Sequence, residues 1–185
     1  MTEAIAVRPV DRESWGDFVR LFESRGAPHY CWCTPYRTPS QDLTAGQRKD
    51  YMHGLVKEGT PIGVIAYDGD DPVGWCSIAP RETYGRLQRS RTMPRMTPDD
   101  TPTWTVLCFF VLRSHRRTGL TKKLLDGAVA FARKAGAKVV EGYPFDAAGL
   151  SSTHRGHSSV FAAGGFDGEG RRWSRQVRGK DLTEK

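Results

Sequence analysis

Residues 29–37, HYCWCTPYR, gather two of the chain's four cysteines, a tryptophan, two tyrosines, a histidine and an arginine. Such a set could bind a metal, form a redox pair, pack as core or face a ligand. A tetrahedral zinc site needs four ligands, but Cys31-x-Cys33 departs from the usual spacing and only His29, Cys76 and Cys108 could complete it. No metal is expected. A disulfide between Cys31 and Cys33 would close a tight, strained ring. What remains is a surface of rings, Tyr30, Trp32 and Tyr36, with Arg37 as an anion clamp. The competing reading is that Cys31, Cys33 and Trp32 pack beneath the loop.

A second stretch, FFVLRSHRRTGLTKKLLDGAVAFARKAGAKVVEGY (109–143), reads as buried strand, basic turn with a glycine, amphipathic helix and strand. A turn of this kind aims backbone N–H groups and the positive end of a helix dipole at one point, as phosphate-binding turns do. Arg116, Arg117 and Lys122 add formal charge beside it. An ordinary solvated turn is the alternative.

The elements that must position these residues follow from periodicity. AIAVRPV (4–10) reads as an opening strand, and Trp15, Phe18, Val19 and Phe22 fall near helical spacing. Thr44 can cap a second helix that Gly59, Thr60 and Pro61 stop. IGVIAYDGDDPVGWCSIAP (62–80) is two β-rich runs joined by an Asp/Gly cluster, hence a hairpin. TWTVLCFFVL (103–112) is apolar enough to be a strand buried on both faces, so it belongs in mid-sheet. Leu120, Leu124, Ala128, Phe131 and Ala135 make one helical face ended by Gly136. KVVEGYP (138–144) is a strand, 154–165 a helix stopped by two glycines, and RRWSRQVRG a last strand. Between 81 and 95 five arginines (Arg81, Arg86, Arg89, Arg91, Arg95) face the single Glu82 in a basic loop.

At 185 residues the chain suits one domain, 1–185, with a core over about 4–178. No apolar run approaches the roughly 20 residues that span a bilayer, and charges enter the N-terminus too early for a secretory signal. Cytoplasmic residence with free thiols is expected. Lys and Arg total 28 against 21 Asp and Glu, a net charge of +7, which suits an anionic partner of any kind.

In element order the chain resembles the GNAT superfamily of acyl-CoA-dependent N-acetyltransferases. Its Arg116-Arg117-Thr118-Gly119-Leu120-Thr121 is similar to the family signature Q/R-x-x-G-x-G/A. Phe109, Phe110 and Val111 match the strand that bonds the pantetheine arm, and Gly164-Gly165-Phe166 resembles the family's late x-G-F. The resemblance implies an α+β fold in the order β-α-α-β-β-β-α-β-α-β-β. Its central mixed, mostly antiparallel sheet has about seven strands flanked by helices. It implies acetyl-CoA as acyl donor, held by Phe109 to Val111 and by Arg116 to Lys122. Two departures stand out. Thr121 replaces the final small residue, and Phe161 occupies the place of the tyrosine that protonates the leaving thiolate in many members, which phenylalanine cannot do.

By the same resemblance Glu141 aligns with the glutamate base of some members; the alternative is a salt bridge. His157 or Ser158, one turn before Phe161, could stand near the missing hydroxyl, and Tyr143, on the strand face of Glu141, is another candidate acid. His154 and His157 are otherwise solvated residues near a helix start. The loop between the first two helices then borders the acceptor, so Tyr30, Trp32, Tyr36 and Arg37 become its binding wall, which the arginine loop could join. The expected activity is acetyl transfer to a primary amine of a small molecule by direct attack on the thioester. The alternatives are a regulatory acyl-CoA-binding protein, or transfer to an aminoacyl-tRNA or protein amine. No nucleic-acid module signature occurs, so a small amine is the preferred partner; a membrane partner is not expected, and a homodimer is left open.

Overall fold

A computed structural model of the protein describes residues 4–38, 42–146 and 153–177. The strands are β1 (Ala6–Pro9), β2 (Gly63–Asp68), β3 (Asp71–Pro80), β4 (Thr103–Val111), β5 (Val139–Gly142), β6 (Asp167–Glu169) and β7 (Arg172–Gln176). The helices are α1 (Trp15–Phe22), α2 (Ala45–Lys57), α3 (Leu120–Lys134) and α4 (Ser158–Ala163). One open seven-stranded sheet runs β1-β2-β3-β4-β5-β7-β6, with β4 and β5 its parallel pair and the other neighbours antiparallel. The expected element order is the observed one, and TWTVLCFFV lies fourth of seven, with Thr103 to Phe109 buried.

Each face of the sheet takes a helical layer. Leu120, Leu124, Leu125, Ala128 and Ala132 of α3, with Phe161 of α4, pack on Val64, Cys76 and Val106. On the other face Phe18, Leu21 and Phe22 of α1 and Met52 and Val56 of α2 cover Ile65, Tyr67 and Trp75. Thr44 caps α2 as its sequence suggests: Thr44 Oγ1 accepts from Gln47 N at 3.2 Å, and Gln47 Oε1 accepts from Thr44 N at 2.8 Å.

Two departures from the sequence reading matter for the site. The helix expected over 154–165 is a single 3-10 turn, Thr153–Arg155, followed by α4 from Ser158, whose N–H is fixed by Asp146 Oδ1 at 2.9 Å. The arginine-rich segment is partly ordered into two 3-10 turns, Arg81–Thr83 and Gly85–Arg89, anchored by a fully buried Arg81.

Candidate active site

The cleft arises where two parallel strands part. β4 pairs with β5 only from Thr103↔Val139 to Val106↔Gly142, then runs on through Val111 with no strand partner on that side among the described residues. At the point of parting, Ser77 faces Cys108 while Ile78 faces Val106, so Leu107 is an extra residue in β4 that bends the strand. The result is a cleft of about 840 Å³ lined by Cys108 to Val111, the loop after α1, Arg116 and Thr121 around the start of α3, and His154, Gly156, His157 and Val160.

One end of the cleft is cationic. Arg116 lines it, with Nε bonded to the Val111 carbonyl at 3.1 Å. Arg117 and Gly119 both adopt left-handed backbone, with φ of 64° and 80°. Glycine takes that conformation without cost, and here it turns the chain so that α3 begins at Leu120 with no side-chain cap on its first N–H groups. Of the residues expected to hold the donor, Phe109, Phe110, Val111, Arg116 and Thr121 line the cleft. Arg117 and Thr118 are exposed at its edge, the Leu120 side chain is in the core, and Lys122 is paired with Asp126 one turn on.

The wall after α1 divides. Tyr30, 70% exposed, and the half-buried Tyr36 line the cleft with Cys31 and Cys33. Trp32 does not. Its φ of 46°, followed by 56° at Cys33, swings the indole inward, where it stacks on Phe22 at 5.4 Å. Arg37 is also turned away and buried, donating to Ile62 O at 3.0 Å and Thr83 Oγ1 at 3.1 Å with its guanidinium over the Tyr84 ring. Both tie the loop to the sheet. Cys33 and Cys108 meet in the cleft lining, where the Cys108 side chain holds the Cys33 thiol below its ordinary range and Cys33 pushes the Cys108 thiol above its own.

Glu141 is 0% exposed and outside the cleft lining. Oε1 accepts from the Arg81 guanidinium and from Thr105 Oγ1, and Oε2 accepts from Met96 N at 3.2 Å. Arg81 also donates to Leu87 O, Met93 O and the Tyr143 hydroxyl, which itself donates to Pro94 O at 2.7 Å. Burial, then the Glu141 charge, pushes the Tyr143 phenol well up. The shared strand face of Glu141 and Tyr143 is therefore real, but it is closed by Arg81. That partner lies sixty residues away in sequence.

The candidate acid–base residue that does line the cleft is His157. Its Nδ1 lies 3.6 Å from Asp146 Oδ1, a carboxylate held below its usual range by the Ser158 side-chain and backbone hydrogen bonds. His154 lines the cleft as well. Phe161 is fully buried, edge-on to Phe109 and Phe166, and its ring fills the space a side chain on Gly142 would need. Asp146 and Arg81 carried no signal as partners in the sequence, since each acts across a turn or a sheet.

Comparison with known proteins decides the family. Residues 18–145 match the family model described as Acetyltransferase (GNAT) family. The chain belongs to the GNAT acetyltransferases. Solved GNAT-type folds agree at low identity. An N-acetyltransferase from Staphylococcus aureus Mu50 is 12% identical with a TM-score of 0.56, over 95% of this chain and 100% of that one. The aminoglycoside acetyltransferase AAC(6')-Ib, solved with coenzyme A, is 12% identical with a TM-score of 0.59, over 94% and 95%. A GNAT acetyltransferase from Brucella melitensis, solved with acetyl-CoA, is 11% identical with a TM-score of 0.51, over 98% and 92%. Among curated proteins none matches the sequence. Acetyl-CoA is the acyl donor of this GNAT enzyme. The cleft suits it: a strand edge without a partner among the described residues for an amide-bearing arm, and the helix start at Leu120, which no side chain caps, with Arg116 for phosphate. Among the described residues no helix is long and apolar enough to cross a membrane.

Proposed function

We propose that this GNAT enzyme transfers the acetyl group of acetyl-CoA to a primary amine of a small molecule by direct attack. The amine nitrogen bonds to the thioester carbonyl carbon, the carbon–sulfur bond breaks, CoA leaves as its thiolate and the amine gives up a proton. The observation that carries this reading is the single cleft running from the cationic turn at 116–121 along the free edge of β4 to Tyr30 and Tyr36. N–H groups of residues 117–121, with Arg116, hold the phosphates. Phe109 to Val111 hold the amide-bearing arm. Tyr30 and Tyr36 border the amine.

His157 receives the amine's proton, directly or through one water, with Asp146 orienting its ring. Imidazole is the side-chain type that exchanges protons near neutral pH. Glu141 and Tyr143 instead brace the 81–96 segment, because every carboxylate oxygen of Glu141 is engaged away from the cleft. Phe161 donates nothing, and a thiolate leaving group has little need of an acid. Four unbridged cysteines fit a reducing compartment, so we place the enzyme in the cytoplasm.

The test is kinetic. With any amine that releases CoA thiol, initial velocities at varied donor and acceptor should give intersecting double-reciprocal lines. The protein incubated with acetyl-CoA alone should keep its mass. Parallel lines with an acetyl group on Cys33 or Cys31 would replace direct attack by a covalent relay.

A further inference from the structure

Near the acceptor wall two cations have no counter-charge among the described residues. The guanidinium groups of Arg171 and Arg155 both rest on the Phe145 ring, 4.1 and 5.1 Å from its centroid. Among the described residues no carboxylate lies within ion-pair distance of either. Glu169, which shares a shallow surface pocket with Arg171 and Arg172, pairs with neither. Arg155 is the more telling of the two: its Nε is buried with no hydrogen-bond partner, and its NH1 reaches only the thioether of Met93 at 3.7 Å. A thioether is a weak acceptor, and a shielded guanidinium without an anion is costly. Arg171 is exposed, and two guanidinium groups on one ring also repel.

Position ties Arg155 to the acceptor side, and Arg171 joins it through the Phe145 ring the two share. Arg155 stands between His154 and Gly156, both of which line the cleft, and its charge acts on the hydroxyl of Tyr36, another lining residue. The approach is cationic as well, since Arg86, Arg89 and Arg91 on the neighbouring segment are exposed. Among the described residues lining the cleft there is no Asp or Glu.

We propose that the acceptor carries an anionic group, a carboxylate or a phosphate, which Arg155 and Arg171 receive beside Tyr36 while its amine faces the thioester. This inference rests on the acetyl-transfer reading above. The anion completes both guanidinium groups with charge-assisted hydrogen bonds, available bidentately to Arg. A polycationic amine meets repulsion at the same place, so the acceptor class differs from the aminoglycosides named for one structural neighbour.

Matched amines test this, each pair differing only in the anion: amino acids against their amides, an amino sugar phosphate against the amino sugar, with an aminoglycoside as the polycation. In the unmodified enzyme the anionic member should be preferred about tenfold or more in kcat/KM, and the two kinds of pair distinguish carboxylate from phosphate. Arg155→Gln and Arg171→Gln should each pull that ratio toward one. Preference for the neutral or polycationic members would overturn the proposal while leaving acetyl transfer intact, and needs no variant. So would a ratio unmoved in folded Arg155→Gln and Arg171→Gln proteins that bind acetyl-CoA. If acetyl-CoA binds and no amine of any class is acetylated, the acetyl-transfer reading fails and this one with it.

Discussion

Replacing Glu141 by glutamine should cost the protein its stability far more than its chemistry. The carboxylate is fully buried, and its two oxygens accept from Arg81, Thr105 Oγ1 and Met96 N. Glutamine keeps one acceptor oxygen but puts an NH2 donor against either Arg81 or the Met96 N–H, and it leaves Arg81, 2% exposed, without a counter-charge. Breaking one side of a buried pair in this way costs about 3–5 kcal/mol. In a domain of this size each kcal/mol lowers the melting temperature by about 2–4 °C, so the fall should be about 6–20 °C. Thermal melting followed by circular dichroism measures the loss. Turnover assayed well below the lowered midpoint should stay within about threefold of the parent. Replacing both partners, Glu141→Leu with Arg81→Met, should recover much of the loss, because no charge is then left buried. A Glu141→Gln protein that melts as the parent does yet loses about 100-fold in kcat would refute this reasoning and make Glu141 the base.

Three further outcomes follow from the cleft. Gly119→Asp should weaken acetyl-CoA binding on the order of 100-fold by calorimetry, since a carboxylate about 5 Å from a phosphate repels it by about 3 kcal/mol at an effective dielectric of about 20. A side chain there meets nothing within 4 Å but the left-handed φ of 80° strains any residue other than glycine, so the fold should survive with a loss of about 1–2 kcal/mol. Trp32→Ala should lower stability by about 3–5 kcal/mol, the usual cost of deleting a buried aromatic, with folded protein still binding acetyl-CoA; an unchanged melting temperature with a raised acceptor KM would return Trp32 to the binding wall. Burial and the neighbouring Cys33 push the Cys31 thiol up to about 12. Because the thiolate is the reactive form, alkylation of Cys31 at pH 8 should run about four powers of ten below its plateau and rise about tenfold per pH unit. A rate independent of pH over 7 to 9 would contradict that environment.

Much of the fold was legible because its signals are local. The apolar run of β4, the Thr44 cap with Gln47 and the 3.6-residue stripe of α3 each specify an element without reference to the rest of the chain. The donor half of the site was legible for the same reason, being a strand, a turn and a helix start in one stretch. The acceptor half depends on direction rather than composition. Left-handed backbone at Trp32 and Cys33, which neither residue type favours, decides that Trp32 enters the core while Tyr30 and Tyr36 face the cleft. Glu141 and Tyr143 share a strand face as alternation requires, but which group covers that face depends on Arg81 crossing from a segment that the sequence shows only as a basic loop. Asp146 reaches Ser158 and His157 only because the chain returns on itself after β5.

Acetyl transfer to an amine in this cleft is open to direct measurement. The direct measurement incubates the purified enzyme with acetyl-CoA and a panel of anionic, neutral and polycationic amines, following free CoA thiol and product mass together. The account predicts thiol release that depends on the amine, with an N-acetylated product heavier by about 42 Da, the mass of the group transferred in a nucleophilic substitution at the thioester. Saturable acetyl-CoA binding with no acetylated amine from any class would contradict it.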